Sequence, residues 1–236
     1  MRMRKKKHGE ERLDACREYI YTHEGEPLEN PASVFGKADA PVFLEIGAGK
    51  GGFAVGMCSL YPEACYFAME RVSDCVVLAA ERAKNGAECG NLRFIVDTAD
   101  NLMKIFAPKT LDRVFLNFSD PWSKKGYAKR RLTHRRYLSV YFRLLKDGGV
   151  LRFKTDNVGL FDFTLEELAA VGLTPRTVTR DLHNSSYTEG NVVTEYEANF
   201  SSQGVNINML EVVKPDGFTL EIPEDLRLGR RVYPRG

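Results

Sequence analysis

Asp120 is followed by Pro121 and by Trp122, the only tryptophan of the chain. Beyond them come Lys124, Lys125, Lys129, Arg130, Arg131, Arg135 and Arg136, and no acid intervenes before Asp147. Proline fixes its own φ and drives the residue before it into an extended conformation. The apolar run 113–116, ending at Asn117, reads as the strand that delivers Asp120, and open α/β sheets bind ligands at the carboxyl ends of their strands. Charge runs are usually solvated helix faces, but such faces mix signs. This one is all basic and interleaved with Trp122, Tyr127 and Tyr137, the pattern of a surface that meets a polyanion such as nucleic acid.

A second constellation lies upstream. Gly47, Gly49 and Gly52 follow the apolar stretch 42–46 and precede a helical pattern, with Glu70 at the end of the next apolar run. Glycines at such a turn let the backbone approach a ligand closely, and the spacing matches the dinucleotide fingerprint. Glu45, two residues before the first glycine, argues against a pyrophosphate, which it would repel. It favours a cationic ligand without phosphate, and S-adenosylmethionine, with a sulfonium and an ammonium, is such a ligand. Glu70 is placed for ribose hydroxyls, and the turn Asp97, Thr98, Ala99, Asp100 for an adenine edge.

Seven apolar runs predict strands over 42–46, 65–70, 91–96, 113–117, 150–154, 177–182 and 206–213. Helical patterns occupy 11–21, 53–60, 73–89, 101–106, 133–145 and 160–171, and another helix opens near 194–197. The glycines of Asp147-Gly148-Gly149 suit a helix exit. Alternation of this kind predicts an α/β doubly wound, mostly parallel sheet with helices on both faces. The last two strands leave little room for a crossover helix, which predicts an antiparallel edge strand. One domain is expected over 1–213, with a basic N-terminal arm over about 1–8 and a tail, 214–236, without a clear period.

Net charge is only +2 over 236 residues, so affinity for a polyanion must come from local clusters: 2–7, 124–136 and 227–235. Five cysteines without a Cys-x-x-Cys pair fit reduced thiols and a cytoplasmic location better than a disulfide frame or a zinc site, and no metal site is expected. No apolar run approaches the ~20 residues that cross a bilayer.

The chain resembles the bacterial tRNA (guanine-N7-)-methyltransferase family along nearly its whole length up to about Val213. The matching motifs are Glu45-Ile-Gly-Ala-Gly-Lys-Gly, Glu70-Arg71, Asn117-Phe-Ser-Asp-Pro-Trp-Ser-Lys-Lys, Lys129-Arg-Arg-Leu, Phe153-Lys-Thr-Asp-Asn and Thr194-Glu-Tyr-Glu. The resemblance implies a class I methyltransferase (Rossmann-like) fold that moves a methyl group from S-adenosylmethionine to N7 of a guanine in the variable loop of tRNA. It implies cofactor contacts at Glu45, Gly47, Gly49, Glu70, Thr98 and Asp120, with Asp120 also the catalytic acid residue. Substrate contacts are implied at Lys124, Asp156, Thr194, Glu195, Tyr196 and Glu197, and RNA contacts at Gly126, Tyr127, Ala128, Lys129, Arg130 and Arg131. The chain departs from the family pattern at Thr98-Ala99, usually aspartate-alanine, and at Ser123 and Gly126-Tyr127, which leaves the adenosine contact among Asp97, Thr98 and Asp100.

Guanine N7 bears a lone pair and no proton, so alignment and electrostatics suffice, and Asp120 is expected to orient and stabilise rather than remove a proton. The base must be splayed out to be reached. Asp156 and Glu197 could equally cap helices, and Trp122 and Tyr196 could stack on the base or simply pack. Other readings are an enzyme for exocyclic amines, weakened by the single proline after Asp120; a non-catalytic RNA-binding module on the same fold; and, last, a nicotinamide-dependent oxidoreductase. Monomer and homodimer both stay open.

Overall fold

The structure is a computed structural model that describes residues 8–86 and 89–227. The expected basic arm falls almost wholly on 1–7, outside the described residues. Five parallel strands form the centre: β1 (Val42–Ile46), β2 (Cys65–Glu70), β3 (Leu92–Val96), β4 (Leu111–Asn117) and β5 (Leu145–Thr155). Two further strands, β6 (Thr177–Thr179) and β7 (Asn208–Val213), complete a seven-stranded sheet of order β3-β2-β1-β4-β5-β7-β6. The antiparallel edge takes the form of β7 slotted between β5 and β6, antiparallel to both.

Every residue of β1 is buried, as expected of a strand covered on both faces. On one face lie α2 (Gly52–Leu60) and α3 (Ser73–Asn85), packed on Phe43, Tyr66, Ala68 and Phe115. On the other lie α4 (Leu102–Ile105), α5 (Arg135–Leu144) and α6 (Val158–Ala170), packed on Leu44, Phe67, Val114, Leu151 and Phe153. The chain leaves β1 toward β2 and β3 on one side, and β4 and β5 lie on the other. The switch point between β1 and β4 is where such sheets open a crevice.

Two expectations are corrected, and the tail, left without an account by its sequence, is described in part. The helix predicted over 11–21 is α1 (Gly9–Asp14) followed by a short 3-10 turn, Arg17–Tyr19. The chain then extends so that the Tyr21 amide donates to Phe94 O (2.9 Å), covering the outer edge of β3. The glycines after α5 are not a helix exit, because β5 begins at once with Leu145. Gly148 (φ 78) lies within the strand, its amide donating to Lys214 O at 3.0 Å, so the pair bulges the ladder instead of capping a helix. The tail is no appendage as far as Arg227. Ile222 and Leu226 are buried, and α8 (Glu224–Arg227) follows a segment in which Phe218 meets Phe142 edge-on. No described helix is long and apolar enough to cross a membrane.

Gly51 shows how tightly the site's scaffold is built. It has φ 75, and a Cβ there would stand 2.7 Å from the Cβ of Ala79 on α3. Gly51→Ala is therefore expected to destabilise by about 1–3 kcal/mol through strain and overpacking together. An unchanged urea midpoint would contradict this packing.

Candidate active site

The carboxyl ends of the five parallel strands present acids in spatial order: Asp97 after β3, Glu70 on β2, Glu45 on β1, Asp120 beyond β4 and Asp156 beyond β5. They differ sharply in environment. Glu45 is only 2 % exposed, a floor beneath the glycine turn rather than part of an open rim. Its Oε1 accepts from Asn117 Nδ2 at 3.0 Å, a bond that stitches β1 to β4 across the switch point. Its Oε2 and the Tyr66 hydroxyl are both buried and make no well-aligned hydrogen bond, and the hydroxyl lies close enough to help hold the carboxyl. Burial pushes the Glu45 carboxyl up to about 7, against the opposing pull of the Asn117 bond and of the Lys154 charge.

The turn above Glu45 is built from left-handed glycines, Gly47 at φ 84 and Gly49 at φ 54, and a Cβ at either would meet nothing within 4 Å. The amides of Gly47 and Ala48 fold down onto Met69 O (2.8 and 3.0 Å). Glu70 holds the turn from the side, its carboxylate accepting from the Gly49 amide (3.1 Å) and the Val72 amide (2.9 Å). After β3, Asp97 caps its own turn through Thr98 N and Asn101 Nδ2 (2.6 and 2.7 Å), and Asp100 accepts from the Tyr137 hydroxyl (2.8 Å). Of the three neighbours, Thr98 is the half-buried side chain not engaged in shaping the turn.

A donor-rich cation fits this cradle. The buried Glu45 oxygen, answered only loosely by Tyr66, keeps acceptor capacity, the open glycine side leaves room, and Glu70 retains acceptor capacity. S-adenosylmethionine would be held by Glu45, Gly47, Gly49, Glu70 and Thr98.

Asp120 is exposed, with Arg71 reaching from beyond β2 to within 3.8 Å of it. The loop that carries it is strained: Phe118 and Trp122 sit at φ 51 and 42, conformations that cost of order 1–3 kcal/mol each for bulky residues and gather at functional sites. Arg131 braces it, donating from Nε to Pro121 O (2.9 Å) and from Nη2 to Trp122 O (3.2 Å) while lying over the Phe163 ring. Trp122 packs edge-on to Tyr127, and Arg130 covers both rings at 5.1 and 4.6 Å.

The basic run is thus not uniform. Arg135 is forked onto Glu167 (2.8 Å), Arg136 pairs with Asp225, and His134 caps α5. Acids distant in sequence neutralise these positions. Lys124, Lys129 and Arg130 are exposed and have no ion pair among the described residues, and Gly126 and Tyr127 are exposed beside them. Arg131, expected to touch RNA, serves as the strut just described.

Asp156 is half-buried and does not cap α6, because Asn157 does, accepting from Leu160 N (2.7 Å). Thr194 and Glu197 form a capping box on α7 (Glu195–Ser201). Glu197 is fully buried: its Oε2 accepts from Lys154 Nζ (2.6 Å) and its Oε1 from Asn191 Nδ2 (2.7 Å). The expectation of an open base-contacting carboxylate at Glu197 gives way to a buried counter-ion, because a lysine interior to the sheet needs one. Glu195 is paired with Arg82 at the surface, and Tyr196, 63 % exposed, lies nearly parallel to Phe118 with ring centres 6.4 Å apart.

A family model described as a putative methyltransferase matches residues 39–210. The tRNA (guanine-N(7)-)-methyltransferase of Clostridioides difficile is 38% identical over 214 residues, 91% of this chain and 99% of that one. The chain belongs to the tRNA (guanine-N7-)-methyltransferase family. The member from Halalkalibacterium halodurans is 43% identical over 177 residues, 75% of this chain and 79% of that protein. Among solved structures, the 16S rRNA methyltransferase KamB superposes with a TM-score of 0.61 at 11% identity, covering 83% of this chain and 98% of that chain, a likeness of fold alone. The class I methyltransferase fold expected from the resemblance is the fold observed. Sequence reading missed Lys154, Asn117 and Phe118 as parts of this family member's site. β5 also holds the cations Lys146 and Arg152, so nothing in its sequence singles out Lys154 as the buried one.

The raised Glu45 group makes stability depend on pH with a definite sign. The native protein keeps a proton that the unfolded chain releases, so the stabilisation is complete below the ordinary glutamate value and is lost as pH rises through about 7. Glu45→Gln, neutral throughout, is expected to exceed the wild type in stability by roughly 2–3 kcal/mol at pH 8. The gap should close toward pH 5. Urea unfolding across this range checks it, and a pH-independent difference would contradict it.

Proposed function

We infer that this protein transfers the methyl group of S-adenosylmethionine to N7 of a guanine in tRNA. Membership of the tRNA (guanine-N7-)-methyltransferase family supports the reaction and substrate. The observation that carries the reading at the level of residues is the buried Glu45 carboxyl, with acceptor capacity to spare, beneath an open glycine turn. It favours a phosphate-free cation over a dinucleotide.

S-adenosylmethionine, when bound, supplies an electrophilic methyl group on a positively charged sulfur. The chain's own part is to hold, orient and balance charge. Guanine N7 has no proton to lose, so Asp120 is an orienting and charge-stabilising residue, and Asp156 is placed to accept from the base's N1 and N2 donors. That both carboxylates follow adjacent, paired strands, β4 and β5, supports a shared role. Positive charge passing to the purine is favoured by such fixed negative groups. Tyr196 of α7 lies against Phe118, and the two offer an aromatic face to a splayed base, while Thr194 caps the helix that carries Tyr196. Lys124, Lys129 and Arg130 would meet phosphates. The cofactor contacts at Glu45, Gly47, Gly49, Glu70, Thr98 and Asp120 belong to the same proposal.

The direct test is methyl transfer to bulk tRNA that lacks the modification, followed by borohydride and aniline cleavage. Scission at the methylated guanosine is expected; a methyl group found on an exocyclic amine would overturn the reading. Asp120→Asn is expected to lose roughly 10²-fold or more in rate at every pH. Recovery of that variant at high pH would instead mark Asp120 as a proton acceptor. Charge accounting yields a further expectation: Lys129→Ala and Arg130→Ala each reduce the salt slope of tRNA binding by about one, whereas Arg135→Ala leaves it unchanged. Equal slopes for all three would contradict the assignment of Arg135 to Glu167.

A further inference from the structure

Lys154 is an interior lysine, fully buried near the carboxyl end of β5. Its ammonium donates to Glu197 Oε2 (2.6 Å), Asn191 Oδ1 (2.9 Å) and Val192 O (3.0 Å), and its open side lies over the Phe53 ring of α2 at 5.0 Å. All three acceptors belong to one stretch, 191–197, which carries Thr194 and Tyr196. Burial pulls the Lys154 ammonium down to about 8, while Glu197 acts to keep it charged. An ion pair so deep is a weak source of stability and is better suited to fixing one geometry.

The same stretch rests on the cofactor side of the molecule. Val192 fills a notch over Gly56 of α2, where a Cβ would come within 2.4 Å of Val192 Cγ1. Glu195 pairs with Arg82 of α3. His183 Nε2 lies 3.2 Å from Glu197 Oε1, which brings the preceding loop to the same anchor. The outward side is thinly packed, with Val193 and Tyr196 exposed. One buried cation therefore secures the stretch from beneath, with a shape fit on α2 and a surface pair on α3 beside it.

We propose that Lys154 is a positioning residue: by holding 191–197 against β5 it sets Thr194 and Tyr196 opposite Asp120 and Asp156, so that the tRNA-facing wall is fixed by a group that touches neither tRNA nor cofactor. The proposal rests on the tRNA reading above, but part of its test does not.

Lys154→Met alone would strand the Glu197 charge and unfold the protein for an uninformative reason. The paired variant Lys154→Met/Glu197→Met removes both charges, a change that buried pairs often tolerate. Gly56→Val pushes on Val192 without altering any charge. Both variants are compared with the wild type by hydrogen exchange, cofactor calorimetry and steady-state kinetics on unmodified tRNA. Expected in both are exchange over 191–201 at least about tenfold faster, a tRNA KM raised about tenfold, and a cofactor Kd within about threefold of wild type.

Wild-type exchange over 191–201 in the folded paired variant would overturn the proposal. So would a cofactor Kd that weakens in step with the loss of activity, since Lys154 would then serve the Glu45 side. If the wild type itself fails to methylate tRNA, the function reading falls, while exchange still decides whether Lys154 holds the stretch.

Discussion

A buried polar seam runs beneath the carboxyl ends of the central strands. Glu45 on β1 is tied to Asn117 on β4, and Lys154 on β5 is tied to Glu197 on α7. Water does not reach these groups, so each charge must be answered by another group of the chain or by a ligand. Lys154 is answered completely by Glu197, Asn191 and Val192. Glu45 is answered by halves: one oxygen takes a well-formed bond from Asn117, and the other has only a loose approach from Tyr66. That asymmetry divides the seam into a finished structural half under the substrate side and an unfinished half under the glycine turn.

In the proposed reading, stability yields to function in the unfinished half. A neutral side chain at Glu45 would sit more comfortably in the apolar interior, but only a carboxylate can hold a cation there. The same trade recurs above the seam. Phe118 and Trp122 are held in left-handed conformations that neither prefers, and Arg131 braces the carbonyls between and beside them. Strain in the loop that bears Asp120 is what a preorganised site requires, because the loop's geometry is then set before any ligand arrives.

Much of this was legible in the sequence because its causes are local. Period-two and continuous apolar runs located all seven strands, and the order strand, glycines, helix placed the cradle between β1 and α2. The acids at strand ends followed from the same reading. What stayed hidden depends on partners far away in the chain. Arg135 and Arg136 look like free cations until folding brings Glu167 and Asp225 to them. Glu197 looks like an exposed helix-opening acid until Lys154, distant in sequence, is seen to be interior. Gly148 and Gly149 look like a helix exit because only the pairing with Lys214 reveals a strand. Local chemistry announces elements, whereas counter-ions and bulges are settled by topology.

The central claim is that Glu45 exchanges its proton for a bound cation. Calorimetric titration of the cofactor at pH 6, repeated in buffers of different ionisation enthalpy, measures this directly. With the carboxyl pushed up to about 7, most molecules are protonated at that pH, and binding should release close to one proton per site (about 0.9). Heats that do not vary with the buffer would mean that Glu45 keeps its proton in the complex, and the charge account of the cradle would be wrong.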